Sequence, residues 1–426
     1  MIRIARAAPL RARTCDDAPV NLRRRAAILA GRGAGWASRV TGRGAGTQVS
    51  GRIMLALDPD LLRAVGTADR VVTVSATNGK TTTTRLLHDA LRHAGLPVVT
   101  NHTGANMASG IAAALATPHP PSVAVLEVDE RWLTHVVGPL DPEVLVFGNL
   151  SRDQLDRFGE VHAIVDRWRA ITEAAPDRHV VANSSDPHVV HAAAPARRVT
   201  WVALGIPWRQ DATTCPRCDG LLDWPDGRFH CAGCGFAEPE ARFRLDGDAL
   251  VVDDRRIPLD LAIPGDWNRM NAALAATVAE AHFAVPAETA VAGMGAVEVV
   301  SGRFAQHRLP DGRAARVVLA KNPAGWTEVL HWLSGRDTGV VLAVNAHIAD
   351  GRDPSWLYDV PFEVLQGRPV VASGERALDV AVRLHYGDVA HTVEADPLVA
   401  ARRVAGAEVH IVASYTQFTR LTKEFW

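Results

Sequence analysis

Lysine is nearly absent from this 426-residue chain: Lys80, Lys321 and Lys423 are the only three among 46 basic side chains, and arginine supplies the rest. A lysine kept in such a background marks a place where a compact ammonium does what a planar guanidinium does not, which singles out Lys80 and Lys321. Lys423, beside the terminus, is attributed to chance. Uncharged apolar runs of bilayer-spanning length are also missing, which argues against a transmembrane helix. The run "LRRRAAILAGRG" has a basic start, but its apolar stretch Ala26–Ala30 is short and Arg32 interrupts it, so no secretory leader is read and a cytoplasmic location is expected. A formal net charge of −1 gives no general attraction to nucleic acid. The local exception is the first 50 residues, with ten Arg against two Asp. Cysteine is scarce too. Of five, four fall in two close pairs, leaving only Cys15.

The clearest positive signal is "VTVSATNGKTTTTRLL" (72–87). "RVVTVS" (70–75) reads as a buried parallel strand and 81–95 as an amphipathic helix ended by Gly95. The loop between them would turn backbone N–H groups of Thr77, Asn78, Gly79, Lys80, Thr81 and Thr82 toward a phosphate. Lys80 would reach the β and γ oxygens and the Thr81 hydroxyl would ligate Mg²⁺. Val74 stands where the general GxxxxGK[ST] loop has its first glycine; the competing reading is a polar turn before an ordinary helix. Other acidic and amide residues follow strand-like runs: Glu127, Asp129 and Glu130 after "VAVLEVDE", Asn149, Asp153 and Asp156 after "VLVFGN", and Asn183 and Asp186 in "NSSDP". In an open α/β sheet such strand ends hold ligands. Glu127 is the preferred Mg²⁺ ligand among these carboxylates; each taken singly is more often a solvated loop residue or a helix cap.

"CPRCDG" (215–220) and "CAGCGF" (231–236) are two C-x-x-C knuckles 12 residues apart. Four thiolates so spaced fit tetrahedral Zn²⁺ on Cys215, Cys218, Cys231 and Cys234; a redox dithiol is the competitor. The intervening residues carry acids and no basic stripe, so the ribbon reads as structural. After "GMGAVEVVSGRFAQHRL" (293–309), strand-like and helix-like runs alternate again, predicting a second α/β unit. It contains "LAKNPAGW" (319–326), with Lys321 and Asn322 past a strand end, and the acidic loop "ADGRDPSWLYD" (349–359).

"TNGKTTT", "NLSRDQLDRFGE", "NSSDP" and "GDWNRMNAALAA" (265–276) together resemble the ATP-binding middle domain of Mur ligases and folylpolyglutamate synthetases. That family reads TGTNGKT in its phosphate loop, so Ala76 stands at a glycine position and an altered turn is expected. The resemblance implies adenine contacts at Asn268 with Asn271 alongside, and an arginine, Arg303, at the domain junction that reaches the nucleotide. It also implies activation of a carboxylate as an acyl phosphate.

The order of phosphate loop, ribbon, "LAKNPAG" and "ADGRDPSWLYD" resembles more closely, over residues 35–420, the ligase-like subunits of two-component lipid II isoglutaminyl synthases. That likeness implies ATP-dependent amidation of the stem-peptide D-glutamate of lipid II, a step of peptidoglycan and cell-wall biogenesis, with ammonia from a GatD-type glutaminase in a heterodimer. Asp353 would complete the partner's triad, and Lys321 and Asn322 would line the acyl-phosphate pocket. Two counts agree. A glutaminase needs a thiolate, and beyond the paired cysteines only Cys15 is left. Amino-acid-adding Mur ligases use a carbamylated lysine, and no lysine occurs between Lys80 and Lys321. A stand-alone ligase is therefore the weaker alternative, and a zinc-ribbon nucleic-acid ATPase weaker still. The expected architecture is α/β. It has a basic, partly disordered arm over 1–50, a Mur-ligase-type P-loop domain over 51–300 with a ribbon insertion at 211–240, and a smaller α/β domain over 301–426. The arm's arginines would rest on lipid head groups at the inner face of the membrane, near a membrane-bound substrate.

Overall fold

The computed structural model describes residues 22–41, 46–65, 68–101, 105–116, 122–153, 161–297 and 304–424. Short β-branched runs buried on both faces build two parallel-rich sheets, as expected when helices cover both sides. The first has nine strands: β1 (Arg70–Ser75), β2 (Val98–Thr100), β3 (Val123–Glu127), β4 (Val144–Phe147), β5 (His179–Asn183), β6 (Arg198–Ala203), β7 (Phe243–Asp246), β8 (Ala249–Val252) and β9 (Arg255–Pro258). Their spatial order is β2-β3-β1-β4-β5-β6-β7-β8-β9, parallel as far as β7 and closed by two antiparallel pairings. β1 lies between β3 and β4, with Val72 opposite Val125 on one side and Val144 on the other. Strand order reverses there, so a crevice opens at the carboxyl ends of these three strands.

One face of this sheet is covered by the helices Lys80–His93, Asp266–Phe283 and Ala287–Met294, which bury Leu86, Leu87, Leu91, Leu274, Val278 and Met294. Buried Ala272, Ala273, Ala275, Ala276 and Ala279 let the second of these helices sit close to its neighbours. The other face packs Leu133, Val136, Ile164, Val165 and Trp168 from the helices Leu133–Leu140 and Val161–Ala174.

The second sheet runs β10-β11-β15-β12-β13-β14, where β10 is Phe304–Arg308, β11 Ala314–Leu319, β12 Gly339–Ala343, β13 Val370–Ser373, β14 His391–Val393 and β15 Glu408–Ala413. Only the edge strand β10 pairs antiparallel. Trp326, Leu330 and Leu333 cover one side, and Phe418 and Leu421 the other.

Contacts among the described residues set the sheets together, three of them through named side chains. Trp267 meets Trp332 edge-on at 5.9 Å. Arg152 Nη1 pairs with Asp359 Oδ2 at 3.1 Å. The third, between Asn78 and Asn322, belongs to the site below.

Part of the basic arm is ordered. Leu22–Val40 is a 19-residue helix folded back on the helix Thr47–Leu57, whereas Cys15 and the rest of residues 1–21 lie outside the described residues. No described helix is long and apolar enough to cross a membrane.

Candidate active site

The strand β1 delivers Ala76 to Gly79 into the crevice, and the helix that follows begins at Lys80. Gly79 is left-handed, at φ 83°, and a Cβ there would lie 2.1 Å from Asn271 Oδ1. Both facts require glycine. The Ala76 methyl occupies the space beside Gly148 one strand away, where an added Cβ would come within 2.9 Å of it. The turn, expected to be altered, ends in the left-handed Gly79 and leads directly into the helix at Lys80.

The loop is clamped by the segment leaving β4. Asn78 N donates to Asn149 Oδ1 at 3.0 Å and Asn149 Nδ2 donates to Asn78 O at 3.0 Å. Thr77 N donates to Asn149 O at 2.8 Å, and Ser151 N to Thr77 Oγ1 at 3.0 Å. Asn149, read in the sequence only as a strand-end residue, thus shapes the loop.

Lys80 is buried, and its Nζ donates to Ala76 O, to Thr77 O at 3.1 Å and to Glu130 Oε2 at 2.8 Å. Burial alone would depress its pKa, but Glu130, Asp129 and Glu127 hold the ammonium above its ordinary range. Burial pulls the Glu130 carboxyl up against the opposing pull of Lys80. Glu130 is therefore the lysine's counter-ion. Glu127, equally buried, has Oε1 held by Asn106 Nδ2 at 3.1 Å, and its backbone is fixed by Asn101. Its other oxygen takes no protein hydrogen bond among the described residues, and Glu127 and Thr81 line the same cleft, a donor set that fits a hard cation.

"NSSDP" has another role. Asp186 caps the helix Pro187–Ala193, and its two oxygens accept from His188 N, Val189 N and Leu150 N, which leaves it committed to the backbone. The cap holds the β4 exit segment in place under the loop.

The cleft encloses about 410 Å³ between the two units. Its walls include Thr77 to Thr83, Glu127, Asp129, Asp153, Asn268, Asn271, Lys321 and Glu328. Asn268 Nδ2 donates to Pro264 O at 2.6 Å, and Asn271 Oδ1 accepts from Thr83 Oγ1 at 3.2 Å. Glu328 carries no sequence signal; burial first, then the charge of Asp266, pushes its carboxyl up to about 8. Arg303 lies outside the described residues, as does Asp156.

Asn322 caps the helix Pro323–Ser334 through Gly325 N at 2.9 Å. It also exchanges two hydrogen bonds with the phosphate loop, Asn78 Nδ2 to Asn322 Oδ1 at 3.2 Å and Asn322 Nδ2 to Asn78 Oδ1 at 3.1 Å. Asn322 thereby positions one unit on the other. Lys321 Nζ sits 5.1 Å above the Tyr415 ring. A smaller cavity of about 80 Å³ adjoins the cleft and shares Asp153 and Lys321 with it; its far wall holds Asp350, Asp353 and Asp359. Asp353 is exposed and its Oδ1 accepts from Ser355 N at 2.9 Å. Asp350 is buried and fastened to Thr416 N and Oγ1 at 2.8 and 2.6 Å.

The ribbon lies between β6 and β7. Its two knuckles repeat one geometry: Cys215 N donates to Gly220 O and Cys231 N to Phe236 O, each at 2.7 Å, with left-handed residues at Asp219 and Gly235. The four sulfurs lie within 4.8 Å of one another, Cys215–Cys234 at 3.7 Å and Cys218–Cys231 at 3.5 Å. A tetrahedron with Zn–S bonds of about 2.3 Å has sulfurs about 3.8 Å apart, so the cluster fits zinc. Glu238 anchors the ribbon to Ser185 Oγ at 3.0 Å.

The family descriptions "Mur ligase middle domain" and "MurT ligase C-terminal" match residues 74–215 and 319–418. Over 383 residues the chain is 31% identical to the lipid II isoglutaminyl synthase (glutamine-hydrolyzing) subunit MurT of Staphylococcus aureus strain COL, covering 83% of this chain and 85% of that one. The subunit of the same name from Streptococcus pneumoniae is 29% identical over 394 residues, 86% and 87% of the two chains. In fold it is similar to a pseudomurein peptide ligase type C from Methanothermus fervidus, with a TM-score of 0.66 at 19% identity over 86% of this chain and 80% of that one.

Proposed function

This chain belongs to the MurT family of ligase subunits, and on that premise we propose that it amidates the α-carboxylate of the stem-peptide D-glutamate of lipid II, using ATP and ammonia from a GatD-type glutaminase. The observation that carries the reading is the pair of adjoining cavities that meet at Asp153 and Lys321. One holds the phosphate loop. The other is bordered by Asp353, the residue assigned to the partner's triad, so ammonia released at that wall has a short path to the nucleotide cleft.

Thr77 to Thr82 cradle the phosphates and Asn268 faces the base, with Asn271 alongside, against Gly79 and Thr83 of the phosphate loop. Lys80, kept cationic by three carboxylates, moves from Glu130 onto the β and γ oxygens and stabilises charge as the phosphoryl group passes to the substrate carboxylate. Thr81 and Glu127 would hold Mg²⁺, which supplies charge neutralisation at the transferring phosphoryl group. Lys321 faces the acyl phosphate, and Asn322 keeps it in register with the loop. Ammonia attacks the acyl carbon and phosphate leaves. The four cysteines would hold a structural Zn²⁺, and the acceptor places the enzyme at the inner membrane face.

The test is ATP-dependent amidation of lipid II, followed by mass spectrometry of the stem peptide. With ammonium chloride the chain alone suffices. With glutamine, activity requires the glutaminase and is lost in Asp353→Asn, which keeps the ammonium-driven reaction. Turnover of ATP without amidation in either arm would sink the reading.

A further inference from the structure

The helix Leu22–Val40 inverts the usual sidedness of a surface helix. Its buried positions are Ala27, Gly31 and Gly35. The glycines let the helix Thr47–Leu57 approach: a Cβ would lie 2.4 Å from Met54 Cγ at Gly31 and 3.1 Å from Ser50 Cβ at Gly35. Apart from Ile28, which packs partly buried against the core, the large apolar side chains point outward, with Leu22, Leu29, Trp36 and Val40 exposed by 78, 67, 62 and 65%. Leu22, Leu29 and Trp36 recur every seven residues, about two turns, and Val40 follows one turn later, so the four form a single stripe along the helix.

Arg25, Arg32 and Arg39 repeat with the same spacing along one flank, each three residues after a member of the stripe. Arg32 also tethers the helix by donating from Nη2 to Ala116 O at 2.7 Å. Between residues 22 and 57 there are seven Arg and no Asp or Glu. An exposed apolar stripe with a tryptophan and a flanking row of arginines is the pattern of a helix lying in the headgroup boundary of a bilayer. Pairing with a second copy would bring two acid-free, arginine-bearing faces together, which is electrostatically unfavourable. The hairpin is also tied to the acidic rim of the cleft. Gly51 packs so closely on Ser109 that a Cβ would lie 1.7 Å from its carbonyl oxygen, and three residues before Ser109 is Asn106, which holds Glu127.

We propose that the outer face of the helix Leu22–Val40 seats the enzyme on an anionic bilayer, with Leu22, Leu29, Trp36 and Val40 at the headgroup boundary and the arginine row on lipid phosphates. The inference rests on the reading that the acceptor is lipid-linked and gives that reading a surface.

The full chain is sedimented with vesicles of mixed phosphatidylglycerol and phosphatidylcholine and with vesicles of pure phosphatidylcholine. Wild type binds the mixed vesicles and not the neutral ones, and added salt weakens the binding. Arg25→Gln loosens it about fivefold, the equivalent of about 1 kcal/mol per basic residue near the surface. The double variant Leu29→Ser/Trp36→Ser loses on the order of tenfold or more. Both variants keep the wild-type melting temperature, since the replaced side chains are exposed, and both amidate a water-soluble short-chain lipid II analogue with ammonium at the wild-type rate. Failure of wild type to bind mixed vesicles, equal binding to neutral ones, or undiminished binding by the double-serine variant would overturn the inference. So would a dimer in light scattering that Trp36→Ser dissociates, because the face would then belong to a second copy. If wild type binds as described but amidates neither the analogue nor lipid II, the functional reading fails and the docking surface stands.

Discussion

Gly148 and Ala76 give the sharpest test of how the phosphate loop is built. Replacing Gly148 with alanine sets a methyl 2.9 Å from Ala76 Cβ, about 0.6 Å inside the shortest comfortable carbon–carbon contact of about 3.5 Å. Ala76 is buried between strand ends, and Gly148 N is bonded to Ser75 O at 3.0 Å, so neither backbone can yield freely. Overpacking of this kind costs about 1–3 kcal/mol. Ala76→Gly alone costs about 0.5–1 kcal/mol through added freedom of the unfolded chain. Combined, the two changes exchange the positions of glycine and alanine; the next atom the Gly148→Ala methyl meets is Leu274 Cδ2 at 3.6 Å, an ordinary contact. The double variant is therefore more stable than Gly148→Ala alone, with a coupling energy of about 1–3 kcal/mol, well above the roughly 0.3–0.5 kcal/mol scatter of independent sites. Urea unfolding midpoints at unchanged slope, together with equilibrium binding of a non-hydrolysable ATP analogue, measure it. Additive losses would refute the idea that Gly148 exists to accommodate Ala76.

Three further outcomes are expected. Asn78→Ala strands a buried amide and lowers stability by about 1–3 kcal/mol; Asn322→Ala loses about 1 kcal/mol more, because the Gly325 cap goes with it. Equal losses in denaturant titrations would mean that the cap contributes nothing. The purified chain carries one zinc by elemental analysis, and Cys218→Ser lowers both zinc content and melting temperature; unchanged hydrogen exchange in residues 211–240 after chelation would count against a metal-built ribbon. Burial foremost, with Arg70 and Arg198 adding to it, depresses His282 to about 3, and burial with Arg198 and His282 depresses His179 to about 4, below the ordinary value of 6.5. A depressed histidine contributes stability that is present above pH 6.5 and is lost as pH falls through the folded-state values. Among the described residues Glu143, 3.1 Å from His282 Nε2, is the carboxylate paired with the two rings, and it does not offset the depression. His282→Gln should flatten the acid limb of the melting temperature between those limits, and an unchanged limb would assign it elsewhere.

Much of this was legible because the phosphate loop is a local device: strand, left-handed glycine, lysine and helix follow one another directly, and β1 and its helix lie within a residue or two of where the hydrophobic pattern sets them. The four cysteines were legible for the same reason, each knuckle being closed by its own backbone bonds. What escaped depends on pairing across the chain. Nothing adjacent in sequence marks Asn149 as the loop's clamp, Glu130 rather than Glu127 as the lysine's counter-ion, or Glu328 as a cleft wall. Asp186 could be read as a strand-end ligand or a helix cap, since both roles ask for a carboxylate in the same place, and the structure makes it a cap. Composition does not mark the first helix: the Gly and Arg content of residues 1–50 reads as a partly disordered arm, whereas in Leu22–Val40 Gly31 and Gly35 are the packing surface.

The reciprocal amide pair of Asn78 and Asn322 bears on how the two units can change over descent. The residues are 244 positions apart and chemically identical, and each supplies the donor and the acceptor the other needs. No other residue type offers both at that reach. A single substitution on either side therefore leaves a buried amide without its match, and restoring complementarity requires a second, simultaneous change in a distant stretch of the gene. The nucleotide loop and the acidic loop's unit are in this sense inherited as a set: a chimera that joins the first unit of one relative to the second unit of another should assemble only where both parents carry the asparagine.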